Sequence, residues 1–230
     1  MSVDSVIRAL VFACLVMTPV RGLAEVVEFR TVIEQSPTAS VLMGEQLEQS
    51  RARQYPFYIT MQVPDTSEGV NLAAEFSDSD GEPLAGFIYH VAGERILETN
   101  SISYATIDDG TPEERMQYVF QVIANQVYPW LEPPPDAEVL GGRKITVGGN
   151  PAVEFISIYT RESDRGLLAG RIVGVIPPSG PNVLIFVQET ALDRLGITDI
   201  NELPETFGGR ILSSLVLVSG RNENGVMVPF

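Results

Sequence analysis

Short runs in which apolar and β-branched residues alternate with polar ones recur along most of this chain. Alternation with a period of two buries one side of a strand, and the Gly, Pro, Asp and Ser clusters between the runs are typical of turns. We therefore predict strands at 57–63, 70–76, 84–91, 96–107, 143–147, 152–160, 167–176 and 182–189. A further strand-like run lies at 26–33, and the polar stretch 44–53 tolerates a helix.

The first segment with a helical period follows the strands of the first half. Thr111, Pro112 and Glu114 form a capping box with proline at the first helical position. Apolar residues then recur at helical spacing, which predicts one apolar helix face made of Met116, Val119, Phe120, Ile123 and Val127. Because proline lacks a backbone donor, this helix is expected to end before Pro129.

A second helix is predicted near the end of the chain, from Pro204 to Val218. Its apolar face consists of Phe207, Ile211, Leu212, Leu215 and Val218. Gly208 and Gly209 each weaken a helix by about 1 kcal/mol relative to alanine, so packing must hold this helix or its start must lie later. The residues after it, 219–230, are expected to form a frayed or hairpin end.

Each half of the chain has strand patterns followed by one helix. The halves, 55–131 and 139–218, share A-x-E-F, S-D and L-A-G-x-I and are joined by the proline-rich segment 132–136. Two explanations stay open, an internal duplication of a ββββα unit or two amphipathic hairpins of similar composition. In either case strands and helices are segregated. We predict a single α+β domain over 25–230, with a mainly antiparallel sheet packed with two principal helices.

Residues 1–24 have the layout of a secretory signal peptide. Arg8 precedes a short apolar run, and Gly22 and Ala24 supply the small residues of a cleavage site. The mature chain is then expected to lack the only cysteine, Cys14, and with it any disulfide or thiolate chemistry. No later run is long enough to span a membrane. The expected location is the periplasm or outside the cell, and lipidation of Cys14 is the alternative to simple cleavage.

The chain is strongly acidic, with a formal net charge of −15 at pH 7. Nucleic acids and anionic lipids are bound by clustered basic side chains, so neither is an expected partner. The excess of acid mainly favours solubility. The expected partner is an unknown protein or a small apolar ligand.

The stretch Ser77–Pro83, SDSDGEP, is the one segment that looks like a calcium loop. If Gly81 takes the invariant glycine position of an EF-hand, Phe76 and Phe87 take its first and last ligand positions, where oxygen ligands are required. Asp-Gly between two strand runs is instead typical of a tight hairpin turn. We predict a turn there and no metal site.

Catalytic side chains are sparse. His90, the single histidine, lies in a predicted strand, and no G-x-S-x-G elbow nominates a serine nucleophile. Asp108–Asp109 and Glu113–Glu114 cluster at the start of the first helix, where the helix dipole accounts for them, although a carboxylate-based hydrolase stays open. The glycine pairs at 141–142 and 148–149 do not open a helix and are predicted as turns. We predict no catalytic residue and no cofactor.

The second half contains GRKITVGGNPAVEFISIYT, then GRIVGVIPPSGPNVLIFVQE, then a last helix ending FGGRILSSLVL. This order of a small-residue turn, long strands and a closing helix, over 136–218, resembles the Mog1/PsbP-like proteins. The resemblance implies an antiparallel sheet between helices and a non-catalytic binding or assembly role, in several cases for an exported protein. It transfers no catalytic residue, and the strand-rich first half departs from the pattern.

The main hypothesis is therefore an exported, soluble, non-catalytic binding or assembly protein. The first alternative is a periplasmic carrier of an apolar ligand or lipid, because a curved antiparallel sheet capped by helices can enclose a cavity. Its candidate lining residues, which otherwise fill the core, are Phe57, Ile59, Phe76, Phe87, Tyr89, Phe155, Ile172, Ile185 and Phe186. The second alternative is the carboxylate-based hydrolase.

Overall fold

The computed structural model describes residues 33, 38–43, 57–66, 70–75, 85–91, 95–161, 166–221 and 227–230. The expected signal peptide, the run 26–32, the stretch 44–53 and the SDSDGEP turn lie outside these residues. The strands are β1 Thr38–Met43, β2 Tyr58–Pro64, β3 Val70–Glu75, β4 Ala85–Val91, β5 Arg95–Thr106, β6 Glu138–Val147, β7 Asn150–Arg161, β8 Gly166–Val175, β9 Asn182–Ala191, β10 Val216–Arg221 and β11 Met227–Pro229. The helices are α1 Pro112–Val122, α2 Leu192–Leu195 and α3 Phe207–Ser214.

The strands form two antiparallel sheets. The larger has seven strands in the order β3-β4-β5-β9-β8-β7-β6, and the smaller has four in the order β1-β2-β10-β11. The predicted fold class, α+β with a mainly antiparallel sheet, is confirmed. The duplication stays a prediction: β2 of the first half pairs in the smaller sheet, whereas β6 to β9 of the second half all lie in the larger one.

Helix α1 begins as the sequence predicts, and its helix type changes after Val122. The Thr111 hydroxyl accepts from Glu114 N at 3.3 Å, and Glu114 Oε2 accepts from Thr111 N at 2.8 Å, which completes the capping box. The chain then continues through a π-helical turn and a 3-10 turn, 128–131, that includes Pro129. The expected stop before Pro129 is confirmed, since α1 ends at Val122 and the π-helical turn at Val127. Pro129 lies in the first turn of the separate 3-10 helix, where a proline has no intrahelical bond to lose.

Helix α3 is shorter at both ends than predicted. Residues 200–205 form a 3-10 turn that contains Pro204, and Thr206 then caps α3. At the other end the backbone becomes extended at Leu215, and Val218 lies in β10, which pairs with β2. Val218 as a helix residue is therefore wrong. The terminal residues form the β10–β11 hairpin, one of the two expected outcomes.

One of the two predicted glycine turns is wrong. Gly148 and Gly149 form the turn between β6 and β7 with positive φ angles of 54° and 83°. Gly141 and Gly142 instead lie within β6, next to a bulge in its pairing with β7. A Cβ on Gly142 would overlap the ring of Phe120, so this glycine lets α1 approach the sheet closely.

The larger sheet separates two apolar clusters. Its α3 face carries Ile102 and Phe186 and packs against α3 and the smaller sheet. Its α1 face carries Ile172 and Ile185 and packs against α1 and the following turn, where Ile123 is fully buried. No helix in the described part of the chain is long and apolar enough to cross a membrane.

Candidate functional site

The candidate lining residues fall into two groups on opposite sides of the larger sheet. One group lies in the cluster on the α3 side: Phe57, Ile59, Phe87, Tyr89 and Phe186. The other lies in the cluster on the α1 side: Phe155, Ile172 and Ile185. Each of these side chains is buried, and Phe76 lies outside the described residues. The sheet therefore keeps the two groups from lining one shared space.

The acids at the start of α1 are all exposed: Asp108, Asp109, Glu113 and Glu114. The hydrogen bond from the Thr111 backbone holds the pKa of Glu114 below its usual range. His90 is half-buried in β4, where its Nδ1 lies 3.3 Å from the carbonyl oxygen of Val91. No group of three or more His, Cys, Asp or Glu residues that could hold a metal ion is found in the described ranges.

A row of buried polar side chains crosses the α3 face of the larger sheet. We call it the polar row, and it consists of Glu98, Asn100, Glu154, Arg171, Gln188 and Thr190. Strand pairing brings these residues together, since Asn100 lies opposite Gln188 and Gln188 lies opposite Arg171. Residues two apart in a strand share a face, so the row lies on the same side as the apolar core around Ile102.

Glu154 lies between two arginines at the β6 end of the polar row. Arg171 donates to Glu154 Oε1 from Nε at 2.7 Å and from Nη2 at 2.6 Å, and Arg143 Nε donates to Oε2. The Glu154 and Arg171 side chains are 1% and 7% exposed, whereas that of Arg143 is 57% exposed. A buried charge needs such partners to offset its lost hydration. Because the three residues lie on β6, β7 and β8, their ionic contacts also join these strands.

Gln188 connects the polar row to the start of α3. Its Nε2 donates to Thr190 Oγ1 at 2.9 Å and to Thr206 Oγ1 at 2.7 Å. The same Thr206 oxygen accepts from Gly209 N at 3.2 Å, which caps α3. On its other side, Gln188 Oε1 accepts from Arg171 Nη1 at 3.5 Å. The contacts thus run without a break from β6 to the first turn of α3.

Glu98 is fully buried beneath that turn. Its Oε1 accepts from the backbone N–H of Gly208 and from Asn100 Nδ2 at 2.9 Å. Burial raises the pKa of Glu98 to about 7, although the hydrogen bonds from Asn100 and Gly208 lower it. Its Oε2 has no hydrogen-bond partner among the described residues.

A second cluster of polar side chains joins the turn that follows α1 to the α1 face of the larger sheet. Glu189 accepts from the Tyr159 hydroxyl and from both terminal nitrogens of Arg161. Arg161 also donates to the carbonyl oxygen of Leu131, at the end of that turn. Burial and the neighbouring Glu189 raise the pKa of the Tyr159 hydroxyl above its usual range. These groups, like Glu154, form contacts between elements of the fold.

The β3–β4–β5 part of the α1 face is covered less than the rest. We call it the open half, and its six central residues are Ala73, Gly86, Ile88, Thr99, Ser101 and Ser103. Each of these six is half-buried, and exposed Asn71 and half-buried His90 lie beyond them on the same face. On the other side of the same strands, Ala85, Phe87 and Ile102 are at most 1% exposed. The strands of the open half are thus sealed on one side and accessible on the other.

Sequence reasoning missed the polar row, although the sequence contains a signal for it. Glu98 and Asn100 occupy the same alternate positions of β5 as buried Ile102. Glu154 and Arg171 interrupt the apolar runs AVEFISIYT and LLAGRIVGVI. A charged residue inside a strand that is otherwise apolar on both faces indicates a buried pair. Which partner each residue takes depends on the strand order, which the alternation pattern does not specify.

Fold and site together define an α+β protein of two antiparallel sheets, with its buried ionisable groups bonded between strands and helices. No protein-family model matches the chain, and no curated protein matches its sequence.

Solved structures with a similar fold include LpqN, involved in cell envelope biogenesis of Mycobacterium tuberculosis, with a TM-score of 0.47 and 17% identity over 80% of this chain and 94% of that one. The cyanobacterial PsbP of Synechocystis has a TM-score of 0.45 and 14% identity over 68% and 85% of the two chains. The Ran-binding protein Mog1p of Saccharomyces cerevisiae has a TM-score of 0.42 and 12% identity over 79% and 95%. A PsbP and a Mog1 protein, the two names of the family that the second half of the sequence resembles, both occur among these structures.

Proposed function

We propose that this chain is an exported, non-catalytic binding or assembly protein that holds a protein partner on the open half of its larger sheet. The observation that carries the proposal is the one-sided burial of β4. Ala85, Phe87 and Tyr89 are fully buried, whereas Gly86 and Ile88 between them are half-buried.

The chemistry of the open half fits a protein partner. Its central side chains, Ile88, Thr99, Ser101 and Ser103, carry no charge, although the whole chain has a net charge of −15. Depletion of charge distinguishes the centre of a protein interface from the rest of a surface. An antiparallel sheet that faces water ordinarily carries polar and charged side chains on that side. A flat, uncharged partner surface would therefore bury the open half without leaving a buried charge unpaired.

The buried ionisable groups support a non-catalytic role. Glu154 and Glu189 are held by arginines in contacts that join strands and turns. Glu98 is the one described carboxyl whose pKa is raised, and it lies on β5, three strand spacings from Glu154 on β7. The backbones of these two strands therefore lie about 14 Å apart, with Gln188 and Arg171 on the strands between them. The two carboxyl groups of a glycosidase instead face each other across a cleft, at most roughly 9.5 Å apart.

The signal-like segment 1–24 supports export. It also permits a site-specific test, because Cys14 is the only cysteine and leaves with that segment. A mature Ser101→Cys variant then carries a single thiol at the centre of the open half. Ser179→Cys is the matched control, since Ser179 is exposed in the turn between β8 and β9.

The test is thiol-directed crosslinking in the native host, with export followed by cell fractionation. We expect Ser101→Cys in the exported fraction to give one discrete protein adduct that Ser179→Cys does not give. Identical adducts from both positions, or none from Ser101→Cys, would contradict the binding proposal. Retention of the uncleaved chain in the cytoplasm would contradict export.

A further inference from the structure

We propose that the partner covers the open half with one face of a helix, and that a bulky apolar side chain of this helix packs over Gly86. This occupant rests on the proposed function, since it is the element of the partner that lies on the same surface. The observation behind it is the way in which other glycines of the α1 face are already covered by side chains.

Three glycines in the part of the larger sheet that α1 covers each lie under a side chain of α1 or of the 3-10 turn after it. The pairs are Gly142 with Phe120, Gly170 with Leu131 and Gly174 with Val119. In each pair, a Cβ added to the glycine would overlap the side chain above it. The missing Cβ therefore lets α1 and the turn approach the strands closely.

Gly86 has an equivalent position in the open half. It lies on the α1 face, since its neighbours Ala85 and Phe87 are buried on the α3 face. Strand pairing also places it at the other end of one cross-strand row from Gly142. The row is Gly86, Ser101, Val187, Ile172, Phe155 and Gly142. Among the described atoms, a Cβ added to Gly86 would have only the carbonyl oxygen of Asn100 within 4 Å, at 3.7 Å.

The width and position of the open half fit a helix. Strands β3 to β5 span two strand spacings, about 10 Å, which is the diameter of one helix with its side chains. The open half also continues the surface on which α1 packs, because Ser103 lies opposite Ile185, a member of the cluster beneath α1. A helix beside α1 would therefore extend an existing layer of the fold. An added strand would instead pair at the edge of β3 and would leave this face uncovered.

The surroundings of Gly86 favour an apolar side chain. Ser101 lies opposite Gly86, and Ile88 follows on the same face of β4, so no charge is available to pair with a charged group. Gly86 and Ile88 are about 7 Å apart along the strand, and residues i and i+4 of a helix are about 6 Å apart along its axis. An amphipathic helix that follows β4 would thus place one apolar side chain over Gly86 and the next beside Ile88.

A side chain added at Gly86 tests this arrangement. Valine suits a strand and has room here, so circular dichroism should show Gly86→Val to be folded. The protein captured through Ser101→Cys is titrated against wild type, Gly86→Val and Ala73→Val. We expect Gly86→Val to weaken binding about tenfold or more, because the added methyl groups take the space of the partner's side chain. Ala73→Val adds apolar volume at the β3 edge of the open half and should change the affinity less than about threefold.

Alanine substitution along the binding segment of the partner supplies the second readout. The residues that lose affinity for wild type should recur at spacings of three and four. The partner variant that lacks the side chain over Gly86 should bind Gly86→Val more tightly than it binds wild type, since the two changes compensate.

Three results would overturn the helix: unchanged affinity of Gly86→Val, sensitive partner residues that alternate with a period of two, or no partner variant that compensates for Gly86→Val. Each of them leaves the proposed function intact as long as Ile88→Lys still weakens binding. If Ser101→Cys captures no protein, the proposed function fails and the helix with it.

Discussion

The backbone N–H of Gly208 donates to the carboxyl group of Glu98, so the first turn of α3 rests directly on a buried acid of β5. The rest of the polar row reaches the same turn through Gln188 and Thr206. A helix N-terminus favours an acceptor at this position, because its first backbone donors have no partner within the helix. Helix α3 is thus positioned by polar contacts as well as by its apolar face.

Replacing Glu98 with glutamine should remove a component of the pH dependence of stability. Folding raises the pKa of Glu98 from 4.5 to about 7. Below pH 4.5 both states are protonated, and between these values only the folded state keeps the proton, so the free energy of unfolding falls as pH rises. Above about pH 7 the stabilisation is lost in full. The difference amounts to roughly 3 kcal/mol.

The measurement is urea unfolding of wild type and Glu98→Gln across this pH range. Other carboxyl groups titrate in both proteins, so the informative quantity is the difference between them. Wild type should lose stability relative to Glu98→Gln as pH rises from 4.5 to about 7. A difference that stays constant with pH would show that Glu98 ionises as freely in the fold as in the unfolded chain.

Removing Glu154 should destabilise the fold far more than removing its exposed partner. Glu154→Ala leaves Arg171 buried without its carboxylate, which costs about 3–5 kcal/mol in comparable cases. Arg143→Ala removes a cation whose side chain is 57% exposed and should cost about 1 kcal/mol or less. Chemical denaturation of both variants measures the contrast. Equal losses would mean that Arg143, not the buried pair, holds the β6 end of the polar row.

Gly208→Ala should weaken the fold even though alanine is the better helix former. An added Cβ would overlap Asn100 Oδ1 and would lie 2.7 Å from Glu98 Oε1. Overpacking of this kind typically costs about 1–3 kcal/mol, which exceeds the gain of about 1 kcal/mol in helix propensity. Ser213→Ala, on the exposed side of α3, is the control and should change stability by about 0.5 kcal/mol or less. A stabilised Gly208→Ala would rule out close contact between α3 and β5.

The strands of the larger sheet were predictable because each carries its own alternation or apolar run. The end of helix α3 was not predictable, because the apolar spacing continues through Leu215 and Val218, whereas the pairing of Val216 with Thr60 ends the helix. That pairing joins residues far apart in sequence, so the local spacing of apolar residues does not predict it.

The burial of the polar row and the accessibility of the open half could not be predicted, and the reason is the same for both. In sequence, Glu98 and Ser101 are both polar residues of one strand, yet Glu98 is fully buried and Ser101 is half-buried. The difference arises because α3 packs over one face of β5, whereas α1 and its turn pack mainly on β7 and β8. Strand order and helix placement decide which face of β5 is covered, and neither follows from the alternation of polar and apolar residues.

The affinity of the partner for a variant with charge in the open half tests the account most directly. The protein crosslinked through Ser101→Cys is purified and titrated against wild type, Ile88→Lys and Leu167→Lys. Leu167 is 43% exposed and lies on the α3 side of β8, so the same substitution there is the control. A lysine in place of Ile88 buries an unpaired charge in the interface and should weaken binding about tenfold or more, whereas Leu167→Lys should bind as wild type does. Unchanged affinity of folded Ile88→Lys would contradict the claim that the open half is the binding surface.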